Sequence, residues 1–426
     1  MKDKIAKFFN VLKRDGLFST LKKTFKYIVA NYYNKINISK RISYKINKKK
    51  ILSEIENVLN SKYDRILVWR GSFGWNVPLY QRPQQIAKCL SDEKCLIFYE
   101  VTRMTDKTKF FEKGKDNLYL VNYEIRSFEN DLFELLKKID KPKYLQLYST
   151  CWDVKKEEVD MYVNNGFKLL YEYIDDLNPA LAGTNKLPQN VADIHKYVSK
   201  NLDNALVVTS ADNLYKDMLN KRKSEKNLIL SSNGVDLEHF QKDYHEKIDE
   251  LERIKKDYKL IVGYYGALAT WFDYDLIKKL ANDNKDIAFV LIGIKYDTSF
   301  DESKIEKIDN VYYLGGKDYK ILPEYAKYFD IAWIPFVINE ITLATNPIKL
   351  FEYMAMEKFV VTSPMPECKK YKSVFICDTK EDYNKIFKNY SKLYTSEYKK
   401  ALLKEAKENS WEYKAKDIIK LLKKNE

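Results

Sequence analysis

Histidine is nearly missing from this chain of 426 residues: His195, His239 and His245 are all there is, which argues against a His-rich metal centre. Cysteine is sparse too, and Cys89, Cys95, Cys151, Cys368 and Cys377 form no CxxC pair. The odd number and wide scatter argue against a disulfide framework and a zinc cluster, and leave five small core residues. No run approaches the roughly 18 apolar residues of a membrane-spanning helix. The N-terminus also lacks the apolar core and small-residue cleavage site of a signal peptide. The expected compartment is therefore the cytosol.

Acidic residues are scarce only in one place. Residues 1–60 hold 15 Lys and Arg against 4 Asp and Glu, whereas the rest of the chain holds 60 against 57. Lysine is abundant throughout, which codon bias could explain, but such a bias does not empty one segment of acids. Within it, Ile5, Phe8, Phe9 and Leu12 fall at helical spacing, and after Gly16 a second series follows at Phe18, Leu21, Phe25, Ile28, Val29, Tyr32 and Tyr33. Lys4, Lys7, Arg14, Lys22, Lys23 and Lys26 crowd around them. A basic amphipathic helix with aromatics suits an anionic membrane surface, so residues 1–35 are expected to hold the protein peripherally on the inner face of the cell membrane. A helical arm docking on its own domain or on a partner subunit is the other reading. Nucleic acid is not an expected partner, since no reading motif accompanies the charge.

From residue 61 apolar strand candidates alternate with helical spacing, as in βα units around a parallel sheet. The first series lies at 65–71, 95–101, 117–123, 143–149, 167–175, 205–210 and 227–234. The charged stretch DYHEKIDELERIKKDY follows, and then a second series at 259–266, 287–293, 311–316, 331–336, 359–364 and 374–379. The expected fold class is α/β: two doubly wound, Rossmann-like domains with strand carboxyl ends facing a shared cleft. The domains expected are a basic helical arm at 1–60, a first domain at 61–240, a linker at 241–258, a second domain at 259–395 and a C-terminal helix at 396–426.

Residues 345–367, TNPIKLFEYMAMEKFVVTSPMPE, carry the most chemistry. Thr345 and Asn346 open a turn, Pro347 stands where a first helical residue would, and the helix carries Lys349 and Glu352 before the strand FVVTSP. A helix N-terminus aimed out of an α/β sheet offers unpaired amides and a positive dipole to a diphosphate. Glu352, about one turn in, could accept two vicinal ribose hydroxyls. An ordinary surface ion pair between Lys349 and Glu352 is the plainer reading. Gly266, after the strand KLIVGYY, would let a backbone N–H approach a phosphate closely.

In the first domain, Arg70, Gly71, Ser72, Gly74 and Trp75 follow a strand and would line the cleft. Asp175 and Asp176 end another strand; paired carboxylates suggest acid–base work, and capping of the next helix is the alternative. Arg82 is open between partnering an acceptor phosphate and capping its helix. His195 falls mid-helix and reads as structural, and His239 reads as solvent-facing.

Segment 345–367 resembles the donor-sugar motif of GT-B nucleotide-sugar glycosyltransferases, in the large retaining group called family 4. SSNGVDLEHF at 231–240 resembles the NGVD motif that ends their first domain, with Asn233 and Gly234 expected at positive φ. Gly266 followed by Trp271, Phe272 and Asp273, and the QRPQ of 81–84, resemble a subgroup of bacterial envelope-polysaccharide transferases. The resemblance implies transfer of a sugar from a nucleotide-sugar donor, with a UDP-sugar favoured, to a polysaccharide or lipid-linked glycan, with retention. It implies donor contacts from Gly74, Gly266, Thr345, Asn346, Pro347, Lys349 and Glu352, with Asp175, Asp176 and Arg70 as catalytic candidates. It also implies a terminal helix that crosses back to brace the first domain. No cofactor is expected, and with no DxD motif placed as in the GT-A class, no essential metal.

The chain departs from that pattern in two places. Many family 4 enzymes carry a second glutamate where this chain has Ala344, and the Arg and Lys pair that usually neutralises the diphosphate is missing from GALATWFDYD. The alternative function is therefore a catalytically inactive subunit that binds a nucleotide sugar or glycan and assembles a polysaccharide machine at the membrane.

Overall fold

A computed structural model of the chain describes residues 17–71, 73–77, 80–101, 106–177 and 186–426, with backbone alone for 17–37. Ile5, Phe8, Phe9, Leu12, Lys4, Lys7 and Arg14 lie outside the described residues, as do Ser72 and the side chains of the second apolar series. The chain divides into two compact units, one of Met1–Lys62, Lys107–Lys113 and Leu120–Asp140, the other of Tyr63–Asp106, Gly114–Tyr119 and Lys141–Glu426.

In the smaller unit, Leu17–Leu59 is a single helix of 43 residues. Tyr44 on this helix is buried against the rings of Phe110 and Phe128, with centroids 5.5 and 5.4 Å away, and its hydroxyl donates to Asp131 at 2.6 Å. Lys48 pairs with Asp131 at 2.7 Å, and Lys40 pairs with Glu124.

The strands form two sheets. The first contains β1 (Arg65–Trp69), β2 (Cys95–Glu100), β3 (Phe111–Lys115), β4 (Leu118–Val121), β5 (Lys143–Tyr148), β6 (Lys168–Tyr173), β7 (Ala205–Thr209) and β8 (Leu228–Leu230), in the order β3-β4-β2-β1-β5-β6-β7-β8. The run from β2 to β8 pairs in parallel, with Trp69 opposite Tyr99 on one side and Gln146 on the other. Helices cover both faces of such a sheet, so β1 and β7 are buried at every residue and read as continuous apolar runs.

The second sheet contains β9 (Leu260–Tyr265), β10 (Ile287–Ile292), β11 (Val311–Tyr313), β12 (Ile331–Ile334), β13 (Phe359–Thr362) and β14 (Val374–Ile376), in the order β11-β10-β9-β12-β13-β14 and parallel throughout. Within the charged stretch between the two series, Asp249–Asp257 forms a helix whose Leu251 and Ile254 join the core of the second sheet.

The chain passes between the lobes twice, and the two passages run side by side. Val235 N–H donates to the Asn409 carbonyl at 3.0 Å, and Trp411 N–H donates to the Val235 carbonyl at 3.1 Å. Gly234 has no positive φ, contrary to expectation, and neither does Asn233. Glycine stands at 234 for another reason: an added Cβ would lie 2.7 Å from the Asn409 carbonyl oxygen, so only a residue without one lets the two passages pair. Beyond them, the helix Trp411–Lys423 packs on the first-lobe helix Arg82–Asp92. Glu426 reaches the buried Arg65 at the start of β1, and Asn425 donates to the Asn227 side chain at 2.8 Å.

Candidate functional site

Strand order reverses between β1 and β5 in the first sheet and between β9 and β12 in the second. Ligands of doubly wound sheets bind off the strand carboxyl ends at such points. Arg70, Gly71 and Gly74 leave β1 there, and Gly266 leaves β9. Gly266 has φ 144°, and a Cβ on it would lie 2.7 Å from both Lys349 Cε and the Tyr264 hydroxyl. Gly293, just past β10 at φ 154°, would bring a Cβ to 1.8 Å from the Gly266 carbonyl oxygen. Two glycines on neighbouring strand ends thus let backbone pack directly beneath Lys349.

Lys349 and Glu352 belong to the helix Ile348–Ala355. Pro347 is its cap residue, one place before the position expected, and no side chain caps the end. The start of this helix is therefore left without a side-chain cap for its first amides. Lys349 is half-buried, its ammonium 5.3 Å from the centres of both the Tyr264 and Phe336 rings. Burial pushes it down to about 8, with the Glu352 charge opposing. Glu352 is only 6% exposed and accepts a hydrogen bond from the Tyr265 hydroxyl at 2.8 Å. Burial pushes this carboxyl up to about 7, against the Tyr265 bond and the charge of Lys349. An exposed ion pair is thus not what these two residues form.

The turn before the helix is tied down. Thr345 donates its hydroxyl to the Ile341 carbonyl at 2.8 Å. Asn346 is buried: its side-chain nitrogen donates to Glu367 at 2.8 Å and its side-chain oxygen accepts the Asn233 N–H at 3.0 Å. Asn233 returns a bond from its own side chain to the Asn346 carbonyl at 2.7 Å. Glu367 also accepts the N–H of Asp212 at 2.9 Å, at the N-terminus of the first-lobe helix Asp212–Arg222, and pairs with Lys370 at 2.8 Å. Lys370 in turn pairs with Asp212 at 2.8 Å. Asn346 thus joins the start of the helix Ile348–Ala355 to the first lobe through its side chain.

On the opposite wall, Arg70 lies 3.1 Å from Glu100 and 3.4 Å from Glu158, and Glu100 also takes the Gly71 N–H at 2.8 Å. The Gly74 carbonyl accepts from Gln84 at 3.0 Å and from Tyr99 at 3.1 Å. Trp75 rests on Tyr80 (5.8 Å) and Tyr80 on Tyr319 (5.7 Å), while Gln85 donates to the Tyr319 hydroxyl at 2.9 Å. This aromatic ladder brings the loop after β1 against the second lobe. Burial raises Tyr319, and the charge of Glu352 adds to the effect.

Asp175 and Asp176 follow β6. Their crowded surroundings push Asp175 up to about 6, with the Asp176 charge adding; the side chain is itself exposed, so water tempers that shift. Asp176 lines a cavity of about 370 Å³ with Tyr173, Leu177, Asn213, Asp217 and Lys221. The next described helix begins at Gln189 behind Pro188, and residues 178–185, between it and the two carboxylates, lie outside the described residues.

Arg82 is neither a phosphate partner nor a cap. It is buried, bonded to Glu172 at 2.6 Å and to the carbonyls of Ser231 and Ser232 at 3.1 and 3.0 Å, and so clamps the crossing segment to β6. His195 is buried between the Tyr171 hydroxyl at 3.1 Å and Lys221 at 3.0 Å, and burial pushes it down to about 4. His239 does not face solvent: it stacks on Tyr319 with centroids 4.5 Å apart and contacts the Tyr319 carbonyl at 3.0 Å. Among the described residues no group of three or more His, Cys, Asp or Glu side chains could hold a metal ion.

Two doubly wound lobes with facing strand ends and a last helix returned to the first lobe constitute the GT-B fold. Among solved structures, sucrose-phosphate synthase from Thermosynechococcus elongatus superposes with a TM-score of 0.61 at 12% identity, covering 85% of this chain and 98% of that one. Anabaena HepE in complex with UDP and glucose gives 0.60 at 13% identity, over 85% and 100%. WaaG, a glycosyltransferase involved in lipopolysaccharide biosynthesis, gives 0.55 at 9% identity, over 84% and 99%. No protein-family model matches the chain. A curated Bacillus subtilis (strain 168) protein, TuaH, provisionally named a teichuronic acid biosynthesis glycosyltransferase, is 26% identical over 174 residues. That match spans 40% of this chain and 43% of the relative, less than half of either. The resemblance to GT-B glycosyltransferases read from the motifs thus agrees with the fold of the solved structures and with the name of the curated relative.

Proposed function

We propose that the chain is a glycosyltransferase that moves a sugar from a nucleotide-sugar donor, a UDP-sugar first among them, to a polysaccharide or lipid-linked glycan at an anionic membrane surface, with retention. The observation that carries this reading is the buried Glu352, one turn inside an uncapped helix start, with Lys349 over the Gly266 turn. In it, Glu352 accepts the ribose hydroxyls, while Lys349 and the first amides of Ile348–Ala355 hold the diphosphate. A bound diphosphate would restore the proton affinity that burial takes from Lys349. No metal is given a role.

Leaving-group departure would make the donor sugar oxocarbenium-like, and the charge of Lys349 with the helix dipole would stabilise the diphosphate as its bond to the sugar breaks. Asp175 and Asp176, which follow β6, would take the proton of an acceptor hydroxyl. Arg70, held by Glu100 and Glu158, would fix the loop that carries Gly71 and Gly74 rather than touch the sugar. The HepE complexes with UDP-glucose and with UDP support a uridine nucleotide, and the name of TuaH supports an envelope polysaccharide.

One feature favours the inactive-subunit reading instead: Ala344 is buried and supplies no carboxylate where family 4 enzymes carry their second glutamate. A panel of UDP, GDP, ADP, CMP and dTDP sugars separates the two. At about 100 times Kd a bound donor stabilises by about 2.7 kcal/mol. Stabilisation with release of free nucleotide supports the enzyme, stabilisation without turnover on any acceptor supports the subunit, and no response to any nucleotide sugar sinks the enzyme and leaves only a glycan-binding subunit.

A further inference from the structure

The helix Leu17–Leu59 turns two different faces outward and inward. Tyr44, Ile51 and Ile55 are buried on one side. On the other, Ile38, Ile42 and Ile46 stand in steps of four with exposures of 56%, 57% and 75%, so three β-branched apolar side chains form one row in water. Arg41, Lys45 and Lys49, all exposed, interleave with that row at the same helical spacing. No Asp or Glu occurs between Asp15 and Glu54, whereas ten Lys and Arg do. An apolar row that served only solubility would carry polar residues, and one meant for an ordinary protein partner would not need so one-sided a charge.

We propose that Ile38, Ile42 and Ile46, with Arg41, Lys45 and Lys49, form a lipid-binding face that lies in the headgroup region of an anionic bilayer. The helix lies along the surface, the isoleucines reaching the acyl boundary and the basic side chains lying level with the lipid phosphates. This rests on the reading that the protein works at a membrane, and it moves the contact from residues 1–35 to a defined row beyond them.

The test uses the full chain and sedimentation with phosphatidylglycerol–phosphatidylcholine vesicles against phosphatidylcholine alone. Wild type is expected to partition onto the anionic vesicles and to be released by high salt. The variant Ile38→Ser/Ile42→Ser/Ile46→Ser should partition about tenfold less or weaker still, with an unchanged melting temperature, and Ile→Leu at the same three positions should restore binding. If the serine variant binds like wild type while Lys22→Gln/Lys23→Gln/Lys26→Gln does not, this face is overturned and the membrane reading stands on residues 1–35. No binding by wild type overturns both. A concentration-dependent dimer that the serine variant lacks would assign the row to a second copy of the chain and overturn the lipid face.

Discussion

Removing the Glu367 carboxylate should loosen both the molecule and its hold on the donor. Glu367 is 1% exposed and collects hydrogen bonds from Asn346 in its own lobe and from the Asp212 N–H in the other, with Lys370 closing the network. Glu367→Ala leaves the buried Asn346 amide without its acceptor and uncaps the helix Asp212–Arg222. Breaking a buried pair by deleting one partner costs about 3–5 kcal/mol. Lys370 is partly exposed and keeps Asp212 as a partner at 2.8 Å, so the lower end applies, about 3 kcal/mol. Urea unfolding reads that figure. Donor kinetics read the second consequence: Asn346 immediately precedes the helix that carries Lys349 and Glu352, so KM for the donor should rise along with the loss of stability. A double-mutant cycle of Asn346→Ala with Glu367→Ala should return a coupling of about 1–3 kcal/mol, because each change removes the same bond. Additive effects, or a Glu367→Ala variant with wild-type unfolding and KM, would refute the idea that this carboxylate ties the donor turn to the first lobe.

Glu352 provides a pH test. Its folded pKa is raised to about 7, so folding favours the protonated form; the burial penalty is absent below the unfolded value and complete above about pH 7. Glu352→Gln should therefore raise stability at pH 8, on the order of 2 kcal/mol, do little at pH 4, and remove donor turnover; equal shifts at both pH values would contradict the cause assigned. Gly293→Ala should be among the most damaging single changes in the second lobe, since its Cβ would meet the Gly266 carbonyl oxygen at 1.8 Å. Gly315→Ala, with φ 71° and nothing within 4 Å, should cost only about 1 kcal/mol of backbone strain in the same unfolding assay. Arg82→Met alone should destabilise by about 3–5 kcal/mol because Glu172 stays buried without that partner, whereas Arg82→Met/Glu172→Leu should recover part of that; a double variant worse than the single would contradict a simple buried pair.

The fold was readable because buried parallel strands announce themselves. RILVW, ALVVT and IAFVLI are apolar at nearly every residue and are separated by helical spacing, and that alternation implies two sheets wound on both faces. The same logic missed β3, whose FEKGK is half-exposed and polar and so carries no apolar signal. It also lengthened β8: residues 227–234 read as one strand, yet only Leu228–Leu230 pair in the sheet. The remainder is the crossing segment, where Arg82 and the 409–411 passage satisfy the backbone instead.

For the candidate site, local pattern reached Lys349 and Glu352 because a helix start and its spacing lie within one short segment. It did not reach Tyr265. In β9 every residue of LIVGYY is buried, so alternation says nothing about which of two adjacent tyrosines turns its hydroxyl toward the helix. Nor did it reach the bonds of Asn346 to Asn233, 113 residues away, or of Glu367 to Asp212, 155 residues away. Asn346 illustrates the limit most directly. A turn residue ahead of a phosphate-binding helix invites assignment to the ligand, and only the packed lobes show that its side chain is bonded to the protein on both sides. The helix Ile348–Ala355 is therefore positioned by two residues, Asn233 and Glu367, that no spacing rule connects to it. Their consequence is mechanical, since any change in how the lobes meet at Asn233 or Asp212 must act on the turn from which the helix Ile348–Ala355 starts.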